Sequence, residues 1–271
     1  MAEPALEPPS PAQLVAQQGG VVTRQQLEDS LGGAALRRGI RSGDWVLVDR
    51  GIYAPRELAG DEGAVVEHRL ACAARILASG RDLVVCGTSA ALLHGMRMLE
   101  PHEGSPQLVI PRPAGTEPRH VRQLLAAGLP AGQRQLLDGV PVTTRARTVA
   151  DLARTLDRPA AVVMADAALR AGVTRMEVVD VLATCRRWPG VQNAVDTAIF
   201  ADRRSESALE SLARVWFSEA GLPAPQLQAR LCHADDGRFV ARVDFFWPQH
   251  RTVCEVDGRV KYADGGVLWH E

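Results

Sequence analysis

The spacing of apolar and polar residues changes several times along the 271-residue chain, and each change predicts a different element. Leu14, Val15 and Gln18 fit a short helix that stops at Gly19-Gly20. Thr23 stands as N-cap of a second helix, Arg24 to Ser30, and Gly32-Gly33 turns the chain into a third, Ala34 to Arg41, closed by Ser42-Gly43. Two short β segments, Trp45 to Val48 and Gly51 to Ala54, surround Asp49-Arg50. Farther on, Val66, Leu70, Ala73 and Leu77 recur at helical spacing, while Asp82 to Cys86 and Leu108 to Ile110 read as buried strands. Asp138-Gly139 between two apolar pairs is a hairpin signal, and Thr144 opens a helix through Val149, Leu152 and Ala153. Residues 159–202 are Ala-rich and helical in pattern.

The last segment begins with an amphipathic helix, Ser205 to Ala220, whose expected apolar stripe is Leu209, Leu212, Val215 and Trp216 and whose start carries Ser207 and Glu210 as a capping box. Three strands are expected after it: Gln226 to Leu231, Phe239 to Phe246, and Thr252 to Asp257. Trp247 to His250 is expected to be the loop joining the last two. The pattern as a whole predicts an α+β chain in five parts: a disordered tail (1–10), a winged helix-turn-helix (11–60), an α+β region (61–155), a helical connector (156–203) and an α/β end (204–271).

Composition narrows the function. Thirty-one basic residues against thirty-two acidic ones give a net charge of −1, which excludes a wholly basic nucleic-acid binder but not a local basic face. The third helix supplies one: Arg37 and Arg41 lie four apart, with Arg38 beside them, where a major groove would receive them. A solvated arginine face on a small structural module accounts for the same pattern. Pro111 to Arg147 is a second Arg-rich stretch, open to the same two readings. No apolar run approaches the roughly 18 residues of a membrane span. Five scattered cysteines without a CxxC pair fit free thiols in a cytoplasmic protein.

The chemistry gathers at the end of the chain. With the expected loop, Phe246 pairs with Arg251, Asp244 with Val253 and Arg242 with Glu255, so that Asp244, Glu255 and Asp257 share a face of the sheet. Asp244 and Glu255 would be diagonal neighbours. Carboxylates clustered among apolar residues repel one another, and a hard divalent cation such as Mg²⁺ relieves that conflict; such a metal activates water for attack on a phosphodiester. Glu206 or Glu210 on the preceding helix is a candidate additional acid. Solvated edge acids are the plainer alternative. Cys232, His233, His250 and Cys254 lack the paired spacings of a zinc site.

Two resemblances follow from these residues. Arg242 to Pro248 with Val253 to Gly258 resembles the restriction-endonuclease-like domain of unknown function related to very-short-patch repair endonucleases. That implies a PD-(D/E)xK-type fold and Mg²⁺-dependent DNA cleavage, with Asp244 and Glu255 as metal ligands and Asp257 standing where the wider superfamily commonly has Lys. Lys261, the one lysine of the chain, would stabilise phosphate charge. Such a domain continues with a further helix and strand, so its fold is expected to be incomplete here. The front of the chain, at Thr23 to Leu27, Gly43-Asp44-Trp45, Arg50 to Tyr53 and Gly87 to Gly95, resembles AbiEi-type antitoxins of type IV toxin–antitoxin systems. That implies a DNA-binding repressor of its own operon with a partner toxin, and leaves open that the nuclease-like end is inert.

Overall fold

The computed structural model describes residues 9–60, 63–100, 104–121 and 124–256. It is a mixed α+β chain. The N-terminal part contains α1 (Pro11–Gln17), β1 (Val22–Thr23), α2 (Arg24–Leu31), α3 (Gly33–Ser42), β2 (Trp45–Asp49) and β3 (Ile52–Pro55), with the strands in the order β1-β3-β2. Ser10 and Thr23 each close a full capping box, at α1 and α2 respectively. Leu14, Val22, Leu27, Leu36 and Tyr53 form the core under these elements. Gly39 allows the hairpin to lie against α3, since a Cβ there would meet the Trp45 ring at 2.8 Å.

β3 is buried on both faces. Tyr53 points into the N-terminal core, whereas Ile52 and Ala54 point the other way, into a second core with Leu70, Ala73, Val85, Leu108 and Val140. This is the two-residue period of a strand placed between two layers. The short α4 (Arg56–Ala59) and long α5 (Ala64–Ser79) lead into that second layer.

Next come β4 (Val84–Val85), α6 (Gly87–Leu93), β5 (Leu108–Arg112), β6 (Arg119–Val121), β7 (Leu124–Gly128), a 3-10 turn, β8 (Arg134–Leu137) and β9 (Val140–Thr143). They build a six-stranded mixed sheet ordered β6-β7-β5-β4-β9-β8. Asp138 and Gly139 join β8 to β9 with φ of 48° and 77°, the two left-handed residues that a tight two-residue hairpin requires. On the sheet, Val85 faces α5 while Val84 faces Val109, Leu129, Cys185 and Trp188.

The helices α7 (Arg145–Thr155), α8 (Arg158–Arg170), α9 (Arg175–Ala183) and α10 (Val191–Phe200) pack around one core that includes Val149, Leu152, Met164, Val178, Leu182 and Ala198. Arg147 pins this cluster to the sheet. It is 2% exposed. Its Nε donates to Asp151 at 2.7 Å, and its Nη1 donates to the Gly128 carbonyl at 2.8 Å and to Gln133 Oε1 at 2.7 Å. The buried Trp188 ring carries two guanidinium groups, those of Arg147 at 4.9 Å and Arg154 at 4.8 Å from its centroid.

The C-terminal part is α11 (Ala208–Glu219) on a three-stranded sheet, β10 (Gln226–Cys232), β11 (Phe239–Trp247) and β12 (Thr252–Cys254), in sequential antiparallel order. Phe217 meets Phe245 and Trp247 edge to face, both at 5.2 Å, over a core with Ala213 and Leu227. The buried face of α11 differs from the expected stripe. Trp216 is 54% exposed, while Glu210, Ser211 and Arg214 are buried. The helix packs on its own sheet and also on α8, so polar side chains that meet partners across these contacts go inside.

Candidate functional site

The hairpin between β11 and β12 corrects the expected pairing. Pro248 to His250 forms a 3-10 turn and Arg251, at φ 50°, completes the loop. Phe245 pairs with Cys254, Phe246 with Val253 and Trp247 with Thr252. The expected pairs Phe246–Arg251, Asp244–Val253 and Arg242–Glu255 are therefore displaced by two residues. A shift of two preserves the face of each side chain. The ladder ends at Cys254, and Glu255 lies one step beyond it, in line with Asp244 rather than diagonal to it. Glu255 is exposed. Asp257 and Lys261 fall outside the described residues.

Asp244 sits between the two buried side chains Val243 and Phe245, on the opposite face of β11. Its Oδ2 accepts the Val256 N–H at 3.0 Å, so the carboxylate continues the β11–β12 contact where the backbone ladder stops. Its Oδ1 accepts from Gln228 Nε2 at 3.2 Å. The same Nε2 donates to Glu210 Oε2 at 2.9 Å. Glu210 is 6% exposed and its Oε2 also accepts the Glu206 N–H at 2.9 Å. The capping box expected at Ser207 is thus half made: Ser207 Oγ accepts the Glu210 N–H, but the Glu210 carboxylate turns to Glu206 and Gln228.

Glu206 is taken up elsewhere. It forms a bidentate pair with Arg242, both bonds 2.9 Å, on the exposed face. Of the two candidate additional acids, Glu210 is the one joined to Asp244. Gln228 has no sequence signal beyond its place in a strand. It holds φ at 51° and its Oε1 is buried without a hydrogen-bond partner. Among the described residues, no three His, Cys, Asp or Glu side chains lie close enough to hold a metal by themselves. The carboxylates of Glu210 and Asp244 and the amide oxygen of Gln228 are hard oxygen donors of the kind a cation of the Mg²⁺ class takes.

At the other end of the chain, Arg37, Arg38 and Arg41 are all exposed on α3, whose opposite face buries Leu36. The loop between β2 and β3 presents Arg50. The sheet and helices in the middle of the chain bound an open groove of ≈ 560 Å³ between Gln133 and Gln135 on one side and Glu177 and Asp180 on the other. His94 and Arg145 also line it, and its mixed charges give no single-sign field. His94 is a buried helix-end residue whose Nε2–H donates to the Thr143 carbonyl at 2.7 Å. All five cysteines are free thiols, and burial pushes the Cys72 thiol up to about 12, far from thiolate chemistry. Among the described residues, no helix is long and apolar enough to cross a membrane.

Residues 83–195, from β4 through the first half of α10, match the AbiEi antitoxin C-terminal domain. Two Mycobacterium tuberculosis sequences, the uncharacterized proteins MT2308 of strain CDC 1551 / Oshkosh and Rv2248 of strain H37Rv, are each 32% identical to the chain over 259 residues, which is 92% of this chain and 80% of theirs. The crystal structure of the RV2827C protein from the same species aligns over 79% of this chain and 85% of its own, with 15% identity and a TM-score of 0.36, a likeness too loose to define a common fold.

Proposed function

The chain belongs to the family of the mycobacterial proteins MT2308 and Rv2248, and we propose that it is a DNA-binding antitoxin that represses its own operon and has a cognate toxin as partner. The observation that carries this reading is the antitoxin domain over residues 83–195, joined to an N-terminal unit that exposes three arginines on one helix. In this reading α2 and α3 are the helix-turn-helix, α3 enters the major groove and the β2–β3 hairpin is the wing. Arg37, Arg38 and Arg41 contact phosphates or guanine edges, and the protein works in the cytoplasm, where the operon is. Gel shifts with the chain's own promoter test it. Binding that fails at low salt, or survives intact in the Arg37→Ala/Arg41→Ala variant, contradicts it.

We also propose a second activity for the C-terminal unit, favoured by the way Gln228 draws Glu210 and Asp244 together. Its resemblance to very-short-patch repair endonucleases points to metal-dependent phosphodiester hydrolysis. Asp244 and Glu255 would hold Mg²⁺ with Glu210, Asp257 would assist, and Lys261 would meet the phosphate charge. Bound Mg²⁺ supplies a polarised phosphate oxygen and a more acidic water. The protein's part is to orient the carboxylates, which the Glu206 and Val256 backbone N–H groups do for Glu210 and Asp244. The test is Mg²⁺-dependent nicking of plasmid DNA by the full chain, abolished in Asp244→Asn.

A further inference from the structure

We propose that Arg97, Arg145 and Arg170, together with the imidazole of His94, form a pocket for the phosphate of a small phosphomonoester, and that the ligand is a nucleoside monophosphate whose base lies in the adjoining groove. The inference is independent of the DNA-binding and metal-dependent readings, and it falls in the middle of the chain rather than at either end.

A hollow of ≈ 290 Å³ opens where the end of α6, the start of α7 and the end of α8 come together. Three separate segments bring an arginine to it: Arg97 follows α6, Arg145 is the first residue of α7 and Arg170 the last of α8. No acid lines it. Among the described residues, no carboxylate forms an ion pair with any of the three. Arg170 donates to the Ser205 carbonyl, which holds the side chain in place and leaves its charge unbalanced. A concave wall lined by one sign of charge concentrates the opposite ion. The first turn of α7, at Thr144 to Ala146, lines the groove next to it, and an N-terminal turn of this kind adds to the pull on an anion.

His94 specifies which anion. Its Nε2–H is committed to the Thr143 carbonyl at 2.7 Å, so Nδ1 is a bare acceptor. The ring is 8% exposed, and Nδ1 has no partner among the described residues although it is not sealed from solvent. The residue lines both the hollow and the groove. Burial holds the imidazole below its ordinary range, which favours this neutral form. An acceptor among three cations calls for a ligand that brings a proton along with its negative charge. A phosphomonoester does so, because its second ionisation lies near pH 6: the P–OH donates to Nδ1 while the other oxygens accept from the guanidinium groups. The phosphodiester of a nucleic-acid backbone has no such proton, and sulfate has none.

The groove of ≈ 560 Å³ shares His94, Arg145 and Ala171 with the hollow, so one ligand can occupy both. It exposes Gln135 and Asp180. An amide and a carboxylate are groups that pair with the amino and ring N–H donors of a nucleobase. Phosphate at the arginines and base toward Asp180 match the division of charge along the wall.

The experiment is a calorimetric titration of the full chain with AMP at about pH 6.5, where phosphomonoesters still carry a protonated fraction. Wild type is expected to bind one AMP, and adenosine at least about tenfold more weakly. Arg97→Ala/Arg145→Ala removes two exposed side chains, so the melting temperature should hold while AMP affinity falls at least about tenfold. Inorganic phosphate is expected to compete with AMP, and sulfate to compete less well because it has no proton for His94. Equal competition by sulfate and phosphate overturns the role of His94. Inorganic phosphate binding as tightly as AMP overturns the nucleoside part and leaves the phosphate pocket. Absence of binding of AMP and phosphate by wild type, or undiminished AMP binding by the double variant, overturns the whole. Weaker binding of duplex DNA by the double variant, with no AMP binding by wild type, also overturns it and makes these arginines part of a DNA surface.

Discussion

Asp166 on α8 and Arg214 on α11 form a buried ion pair, Oδ2 to Nη1 at 2.6 Å, that ties the C-terminal unit to the helical cluster. The other carboxylate oxygen accepts the Asp202 N–H at 2.7 Å, and Arg214 reaches Ser205 Oγ and the Phe200 carbonyl as well. Removing one partner strands a buried charge. Asp166→Ala is expected to destabilise the chain by about 3–5 kcal/mol, read by urea unfolding. The double variant Asp166→Ala/Arg214→Leu should recover a large share of that loss. A single variant as stable as wild type would show that the pair is not the tie.

Arg147 makes a different kind of prediction because it acts by shape as much as by charge. Lysine keeps the charge but cannot reach Asp151, Gly128 and Gln133 together while stacking on Trp188. Arg147→Lys is expected to cost about 2–3 kcal/mol through the acceptors it leaves unpaired. Trp188→Phe should be milder than Trp188→Leu, since the indole Nε1 has no hydrogen bond to lose whereas the ring face holds two arginines. Equal losses in the two Trp188 variants would remove the stacking from the account.

Much of the fold follows from local sequence signals. The Thr23 cap, the Gly32-Gly33 turn, the Asp138-Gly139 hairpin and the order of the three C-terminal strands are all short-range features, and each is present. Period alone also places Asp244 on its face of β11. What the sequence hides depends on partners far along the chain. Arg214 stands outside the expected apolar stripe of its helix, and nothing near it in sequence announces its carboxylate, 48 residues away on α8. Gln228 carries no signal because its role exists only where β10, β11 and α11 meet. The hairpin register is hidden for a local reason: Arg251 adopts a left-handed conformation and joins the turn, a state that an arginine in the sequence does not advertise.

Acid should weaken the chain through His94. Burial holds this imidazole below its ordinary range, against the hydrogen bond to Thr143 that favours the charged form, with Arg145 adding to the depression. The unfolded side chain takes up a proton near pH 6.5 and the folded one only at lower pH. Between those values the unfolded state holds more protons, so stability is full above about 6.5 and is lost as pH falls through the window. The melting temperature should drop between pH 7.5 and 5.5, and drop less in His94→Gln. Parallel curves for the two proteins would exclude His94 as a source.

If α3 meets DNA, the salt dependence of binding will report how many phosphates its arginines neutralise. Removing one phosphate-binding side chain flattens the slope of log K against log salt by about 0.9. Arg37→Ala and Arg41→Ala are each expected to flatten it by roughly that amount if they touch phosphate, and to relax sequence preference with little change of slope if they touch a base. Filter binding across a range of salt on promoter and scrambled duplexes separates these cases. Unchanged slope and unchanged preference in both variants would place the DNA elsewhere.

The double burial of β3 gives the molecule a seam rather than a hinge. Tyr53 belongs to one core and Ile52 and Ala54 to the next, so pulling the N-terminal unit away would open both at once. A fragment starting at Ala64 would lose the cover over Leu70, Val85 and Val140, and a fragment ending at Gly60 would carry a strand with one greasy face turned to water. Neither half is built to travel alone, and the arginines of α3 are carried on the same block as the antitoxin domain.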